Sequence, residues 1–246
     1  MELSPLMVKV EGSYKPLEGS PHGLAYGGGV LWISYPDLGV VAAFDPSTSS
    51  VVKRLALPPS APLDLAWDGD KLWVADAASG DIYAIDPDTG EIVGVVEGEW
   101  VYPTGLACSG DRLYVHDAFR EALYSVELET GIAKRETSLA PATGLAYGEG
   151  GVWAVLTGNL SLVLLDPADW RVVRTFYCPT PAPFGLAWGG GRLWIADYSS
   201  GEILVLNPGE RVREVVGRGI PSWLWLVYLF AILPVVLTLL SPEKES

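Results

Sequence analysis

Three markers recur along this chain in a common register. The tripeptide GLA, written DLA in one copy, begins at Gly23, Asp64, Gly105, Gly144 and Gly185. An aromatic residue follows at Trp32, Trp73, Tyr114, Trp153 and Trp194, and a turn residue at Asp45, Asp86, Glu127, Asp166 and Asn207. All three series step by 41, 41, 39 and 41 residues. The chain is therefore a repeat protein of five copies, with a two-residue deletion between Glu127 and Gly144.

Each copy reads as four short strands, through GLA, LWVAD, IYAID and EIVGVV in the second copy, separated by Gly, Asp and Pro turn signals. Apolar residues alternate at spacing two in LWVA and IYAI, whereas a helical repeat of this length needs spacings of three and four. Four strands per unit of about 40 residues is the size of a β-propeller blade. The fold class is thus all-β, a propeller of about five blades starting near residues 23, 64, 105, 144 and 185. Gly and Ala in GLA suit the innermost strand, where blades converge and bulky side chains do not fit. Asp-Pro followed by Thr-Gly makes a tight turn whose glycine takes positive φ, a structural role. The 28 Gly and 19 Pro recur in register and so mark turns rather than disorder. Each copy is expected to carry its own outer strand. The segment LMVKVEG, residues 6–12, resembles one more: it either pairs with the last blade and closes the ring or belongs to a blade of a larger ring.

The blades resemble YVTN and NHL-type propeller repeats, most closely in DLAWDGDKLWVADAASGDIYAIDPDTGEIVGVV, and the resemblance spans residues 21–216. It implies a propeller fold and no single activity, since such propellers include lactonases, lyases, cyclotransferases and binding proteins.

The net charge of −14 excludes a nucleic-acid partner, which requires a basic surface. Cys108 and Cys178 fall at opposite ends of their blades, so no disulfide is expected. After the last blade, residues 220–240, IPSWLWLVYLFAILPVVLTLL, contain no charge. As a helix they span about 31 Å, the thickness of the bilayer hydrocarbon, with Trp223, Trp225 and Tyr228 clustered at one end as interfacial anchors. The expected organisation is a propeller over residues 1–218, a transmembrane helix over 219–241 and a polar tail over 242–246. Arg211, Arg213 and Arg218 precede the span, while the tail holds only Lys244 among acids. This places the propeller on the cytoplasmic side by the positive-inside rule, and MELSPLMVKVEG has neither the basic start nor the apolar core of a signal peptide. The extracellular alternative follows from the habit of Trp-rich YVTN-like propellers.

Function is sought where the copies disagree. Loops leading into the inner strands (SPHG, PLD, PTG, PATG, PFG) and loops between second and third strands (YPDLG, ADAASGD, HDAFREA, LTGNL, ADYSSG) share one face around the axis. Asp64 stands where the other copies have Gly, beside the axis. Asp76, Asp117 and Asp197 recur at one position. Carboxylates so arranged can hold a divalent cation such as Ca²⁺, which takes six to eight oxygens, or can cap their own loops as Asx-turns. His116, beside Asp117, and His22 are the two histidines, and with Asp64 and Asp117 His116 completes the candidate metal set. Tyr35, Phe119, Arg120 and Tyr198 extend the face with groups common at binding hot spots.

Enzyme readings find little support. Plant-type glutaminyl cyclotransferases carry a Glu after the second-strand aromatic, and the matching segments here have none. Streptogramin-lyase-like propellers rely on a His-based site, and the two histidines here sit at unlike repeat positions. Phosphate-binding loops, zinc signatures and serine elbows are absent from the sequence. The reading favoured is a membrane-anchored, non-enzymatic binding or assembly module for a protein or peptide partner. The alternative is a metal-assisted hydrolase or lyase working in the channel.

Overall fold

The computed structural model describes residues 6–56 and 61–212. The expected transmembrane segment lies outside the described residues; among these, no helix is long and apolar enough to cross a membrane.

Among the described residues the alternating sequence folds into twenty strands. β1 (Leu6–Tyr14) comes first, followed by β2 (Leu24–Gly27), β3 (Val30–Tyr35), β4 (Val40–Asp45) and β5 (Ser50–Ala56). The second copy supplies β6 (Pro62–Trp67), β7 (Leu72–Asp76), β8 (Ile82–Ile85) and β9 (Ile92–Val96). The third gives β10 (Pro103–Ser109), β11 (Arg112–Asp117), β12 (Ala122–Glu127) and β13 (Ala133–Ser138). The fourth gives β14 (Ala142–Gly148), β15 (Gly151–Leu156), β16 (Ser161–Leu165) and β17 (Val172–Tyr177). The fifth gives β18 (Pro183–Gly189), β19 (Arg192–Asp197) and β20 (Glu202–Val212). Within each copy the strands form an antiparallel meander, and the inner strands β2, β6, β10, β14 and β18 pack in succession, β18 returning to β2.

The expectation that every copy carries its own outer strand fails in the fifth. There the turn reads NPGE rather than DPDTG, and β20 runs on through it to Val212. β1 lies antiparallel along β20, from Met7 opposite Val212 to Tyr14 opposite Ile203, and supplies the fourth strand. It also meets β17 in parallel at Leu6 and Met7, which joins the fourth and fifth sheets into one.

The repeated aromatic has a packing role. Trp32 stacks on Trp67 of the next sheet at 6.3 Å, Tyr114 on Tyr147 at 6.2 Å, Trp153 on Trp188 at 6.5 Å, and Trp194 on Tyr26 at 6.0 Å, which closes the circle. Each such pair contributes about 0.5–1.5 kcal/mol beyond the area it buries. At the remaining junction the partner is Cys108, packed in a cluster with Trp73, whose indole N–H donates to Asp68 instead. Both cysteines are free. The stacks also explain the glycine after the inner-strand aromatic: a Cβ on Gly189 would lie 2.0 Å from the Tyr26 ring.

The DPDTG turns behave as their chemistry requires. Asp86 accepts hydrogen bonds from the backbone N–H groups of Asp88 (2.7 Å) and Thr89 (3.0 Å), and Gly90 sits at φ 79°.

Candidate functional site

The face bearing the two loop sets is organised by side chains that reach for backbone. Asp64 is fully buried at the axis. One carboxylate oxygen accepts the Leu24 N–H at 3.3 Å, and the other accepts those of Leu106 (2.7 Å) and Leu145 (3.3 Å). These donors follow the GLA glycine in the first, third and fourth copies, so a single carboxylate ties together the inner strands of four sheets. The strands come close enough for this because they carry glycine: a Cβ on Gly185 would lie 2.6 Å from the Gly23 Cα. Burial pushes the Asp64 carboxyl well above the usual carboxylate range, and the N–H donors pull it the other way. Asp64 is thus at the axis, as its position in the repeat implies, but turned into the scaffold rather than towards the loops.

The recurring acids cap loops. Asp76 accepts from the N–H groups of Ala61 and Ala78, both at 3.1 Å, and from the Ser79 hydroxyl. Asp197 accepts from Ser199 and Ser200 N–H. Asp117 does most: it accepts from Val101 (2.8 Å), Tyr102 (3.1 Å), Phe119 (3.0 Å) and Arg120 (3.4 Å), joining the loop before the third sheet to the loop within it. In the first copy Tyr35 takes this position; it is fully buried, and burial raises its pKa.

His116 is fully buried. Its Nδ1 lies 2.9 Å from the Thr104 hydroxyl and its Nε2 3.4 Å from the Leu139 carbonyl. Ser34 holds the same repeat position and works similarly, accepting from Gly23 N–H (2.7 Å) and donating to the Leu63 carbonyl (3.1 Å) of the next sheet. Asp64, Asp117 and His116 therefore face separate partners and do not assemble as the candidate metal set. Among the described residues no three His, Cys, Asp or Glu side chains converge as metal ligands.

The residue preceding the GLA glycine lines the axis at the loop face in every copy: His22, Leu63, Thr104, Thr143 and Phe184, all half-buried. Thr143 donates to the Pro183 carbonyl at 3.0 Å and so fastens adjacent sheets. His22 packs against Phe184 (4.6 Å between ring centroids) and Tyr198 (5.2 Å), and its buried Nδ1 has no partner among the described residues. Sequence reasoning passed over Ser34, Thr104 and Thr143, although reading down these two repeat positions picks them out.

Burial lowers both histidines to about 4. Such a group stabilises the fold fully above its unfolded pKa near 6.5, and that contribution is lost as pH falls through about 4. At about 1.4 kcal/mol per pKa unit, His116 accounts for about 3 kcal/mol of acid sensitivity. The shift of Asp64 has the opposite sign: its contribution is present below the ordinary carboxylate pKa and lost as pH rises through its raised value. The difference between wild type and His116→Gln isolates the imidazole. Urea midpoints measured between pH 7 and 4 are expected to fall more steeply in wild type; parallel curves would count against the buried neutral histidine.

No protein-family model matches the chain, and no curated protein matches it. Solved structures do. A glutaminyl cyclase from Myxococcus xanthus superposes with a TM-score of 0.70 at 16% identity, over 83% of this chain and 98% of the other. The fold is propeller-like. A nidogen/laminin complex matches at 0.60 and 15% identity, over 79% and 80% of the two chains. Hydrazine synthase of Kuenenia stuttgartiensis matches at 0.50 and 20% identity, over 76% of this chain and 58% of that one. At these identities the likeness extends to the fold alone, which serves proteins of different function.

Proposed function

We propose that this propeller-like chain is a membrane-tethered binding module whose loop-bearing face engages a protein or peptide partner. One observation carries the reading. The buried Asp117 carboxylate gathers the backbone of Val101, Tyr102, Phe119 and Arg120 to one spot, where Val101 is 47% and Phe119 69% exposed. The Arg120 guanidinium lies beside them, 3.6 Å from Asp117. An aromatic, an aliphatic and an arginine side chain held on a fixed backbone form the kind of cluster that dominates binding energy at interfaces. The blades are of the YVTN and NHL type by their resemblance, residues 220–240 form the tether, and the arginines before it keep the propeller on the cytoplasmic side. The enzymatic alternative, a metal-assisted hydrolase or lyase, needs Asp64, His116 and Asp117 free to meet a ligand, and each is engaged with backbone or scaffold.

The test uses the full-length chain in its own membrane with a photo-crosslinking residue at position 119 or, as control, at position 88 in a turn of the opposite face. A discrete adduct from position 119, absent from position 88 and lost on Val101→Ser, is expected. Equal labelling from both positions, or turnover of N-terminal glutaminyl peptides that survives Phe119→Ser, overturns the proposal.

A further inference from the structure

Outer strands of a ring of sheets expose unpaired backbone, and charged side chains normally discourage other chains from pairing there. Three of the four outer strands supplied within their own copies follow this rule. β5 carries Lys53 and Arg54, β13 carries Lys134, Arg135 and Glu136, and β17 carries Arg174 and is partly covered by β1. β9, reading IVGVV, carries no polar side chain. Among the described residues it pairs with β8 on one side and is the last strand of its sheet. Ile92, Val93 and Val95 are 40%, 52% and 50% exposed.

The surroundings of β9 define what fits. Glu91 precedes it and Glu97 and Glu99 follow it. The last two line a cleft with Tyr124, Ala133 and Arg135, whose guanidinium donates to the Ser138 hydroxyl. A second copy paired antiparallel about Gly94 would set Glu91 against its Glu97, and a parallel copy would set each glutamate against itself; like charges directly opposite are destabilising. A basic segment has no such conflict. We propose that β9 is a strand-addition site for an extended partner segment of alternating β-branched residues that carries lysine or arginine where it meets Glu97 and Glu99. Main-chain hydrogen bonds supply affinity, and Glu97 and Glu99 supply direction and selectivity. The site is defined by the β9 edge and does not rest on the Phe119 cluster.

The probe is a fluorescein-labelled peptide, Lys-Val-Thr-Val-Thr-Val-Lys, titrated into the full-length chain. Expected results are saturable binding, at least tenfold weakening by Val95→Lys, and at least tenfold weakening when alternate peptide amides are N-methylated. Glu97→Gln with Glu99→Gln is expected to remove most of the salt dependence. Hydrogen exchange of Ile92–Val96 amides, slowed by the peptide in wild type, checks that Val95→Lys acts on the edge of an intact fold. Binding unchanged by Val95→Lys or by N-methylation overturns the proposal, as does equal binding of the peptide with glutamate in place of lysine. Self-association of the unliganded chain that Val95→Lys abolishes overturns it in favour of a second copy.

Discussion

Asp64→Gly is expected to destabilise the protein by about 3–5 kcal/mol, because it leaves three buried backbone N–H groups without an acceptor, each at a cost of about 1–3 kcal/mol. By the repeat alone the change restores the residue that the other four copies carry, and such consensus substitutions usually stabilise. Geometry reverses the sign. The carboxylate accepts from Leu24, Leu106 and Leu145, and glycine leaves all three N–H groups facing an emptied axis. Asp64→Asn keeps the volume but turns amide hydrogens towards one set of donors, so it should fall between glycine and wild type. Urea unfolding at pH 7 measures both. A midpoint for Asp64→Gly at or above that of wild type would show that the axis tolerates the unpaired amides and that Asp64 does not hold the strands.

Removing residues 1–14 should have the second large effect, a loss of at least about 5 kcal/mol, comparable with the whole stability of a modest domain. β1 is paired with β20 along its length. Val8 is buried in a cluster with Trp153, Phe176 and Leu206, while Tyr14 packs edge-on against Phe44 at 5.1 Å and stacks with Trp194 at 6.0 Å. The strand therefore fills the core at two junctions besides completing the fifth sheet, and its loss exposes apolar surface together with the open edge of β20. The truncated chain is expected to lose its cooperative transition and to regain it when a synthetic peptide of residues 6–14 is added. Cooperative unfolding of the truncated chain at the wild-type midpoint would mean that the ring does not depend on this closure.

How much of this was legible beforehand follows from the kind of interaction involved. Strand periodicity, the DPDTG turns and the five-fold register are local, so the sequence displays them directly. The aromatic marker was visible as a regularity, but its reason, a stack across each junction with Cys108 at the odd one, involves residues about 35 positions apart, or across the ring closure. Asp64 was visible only as an exception. An exception in a repeat has a site reading and a scaffold reading, and the choice turned on three amides 40, 42 and 81 residues away. The loop-capping role of Asp76, Asp117 and Asp197 was among the readings open from sequence. For β9, the missing charge was plain in IVGVV, but its place at the end of its sheet among the described residues required the sheet order.

The acids of the loop-bearing face are bound to backbone of the scaffold, and the proposed partner meets Val101, Phe119 and Arg120. The most direct measurement is the thermal unfolding midpoint of the full-length chain as Ca²⁺ is raised at constant ionic strength. A cation held by free carboxylates stabilises the folded state in proportion to ln(1 + [Ca²⁺]/Kd). With the carboxylates of Asp64, Asp76 and Asp117 engaged by backbone N–H groups, the midpoint is expected to stay unchanged across the titration. A midpoint that climbs with the logarithm of Ca²⁺ concentration in wild type, and stays flat in Asp76→Asn or Asp117→Asn, would contradict this.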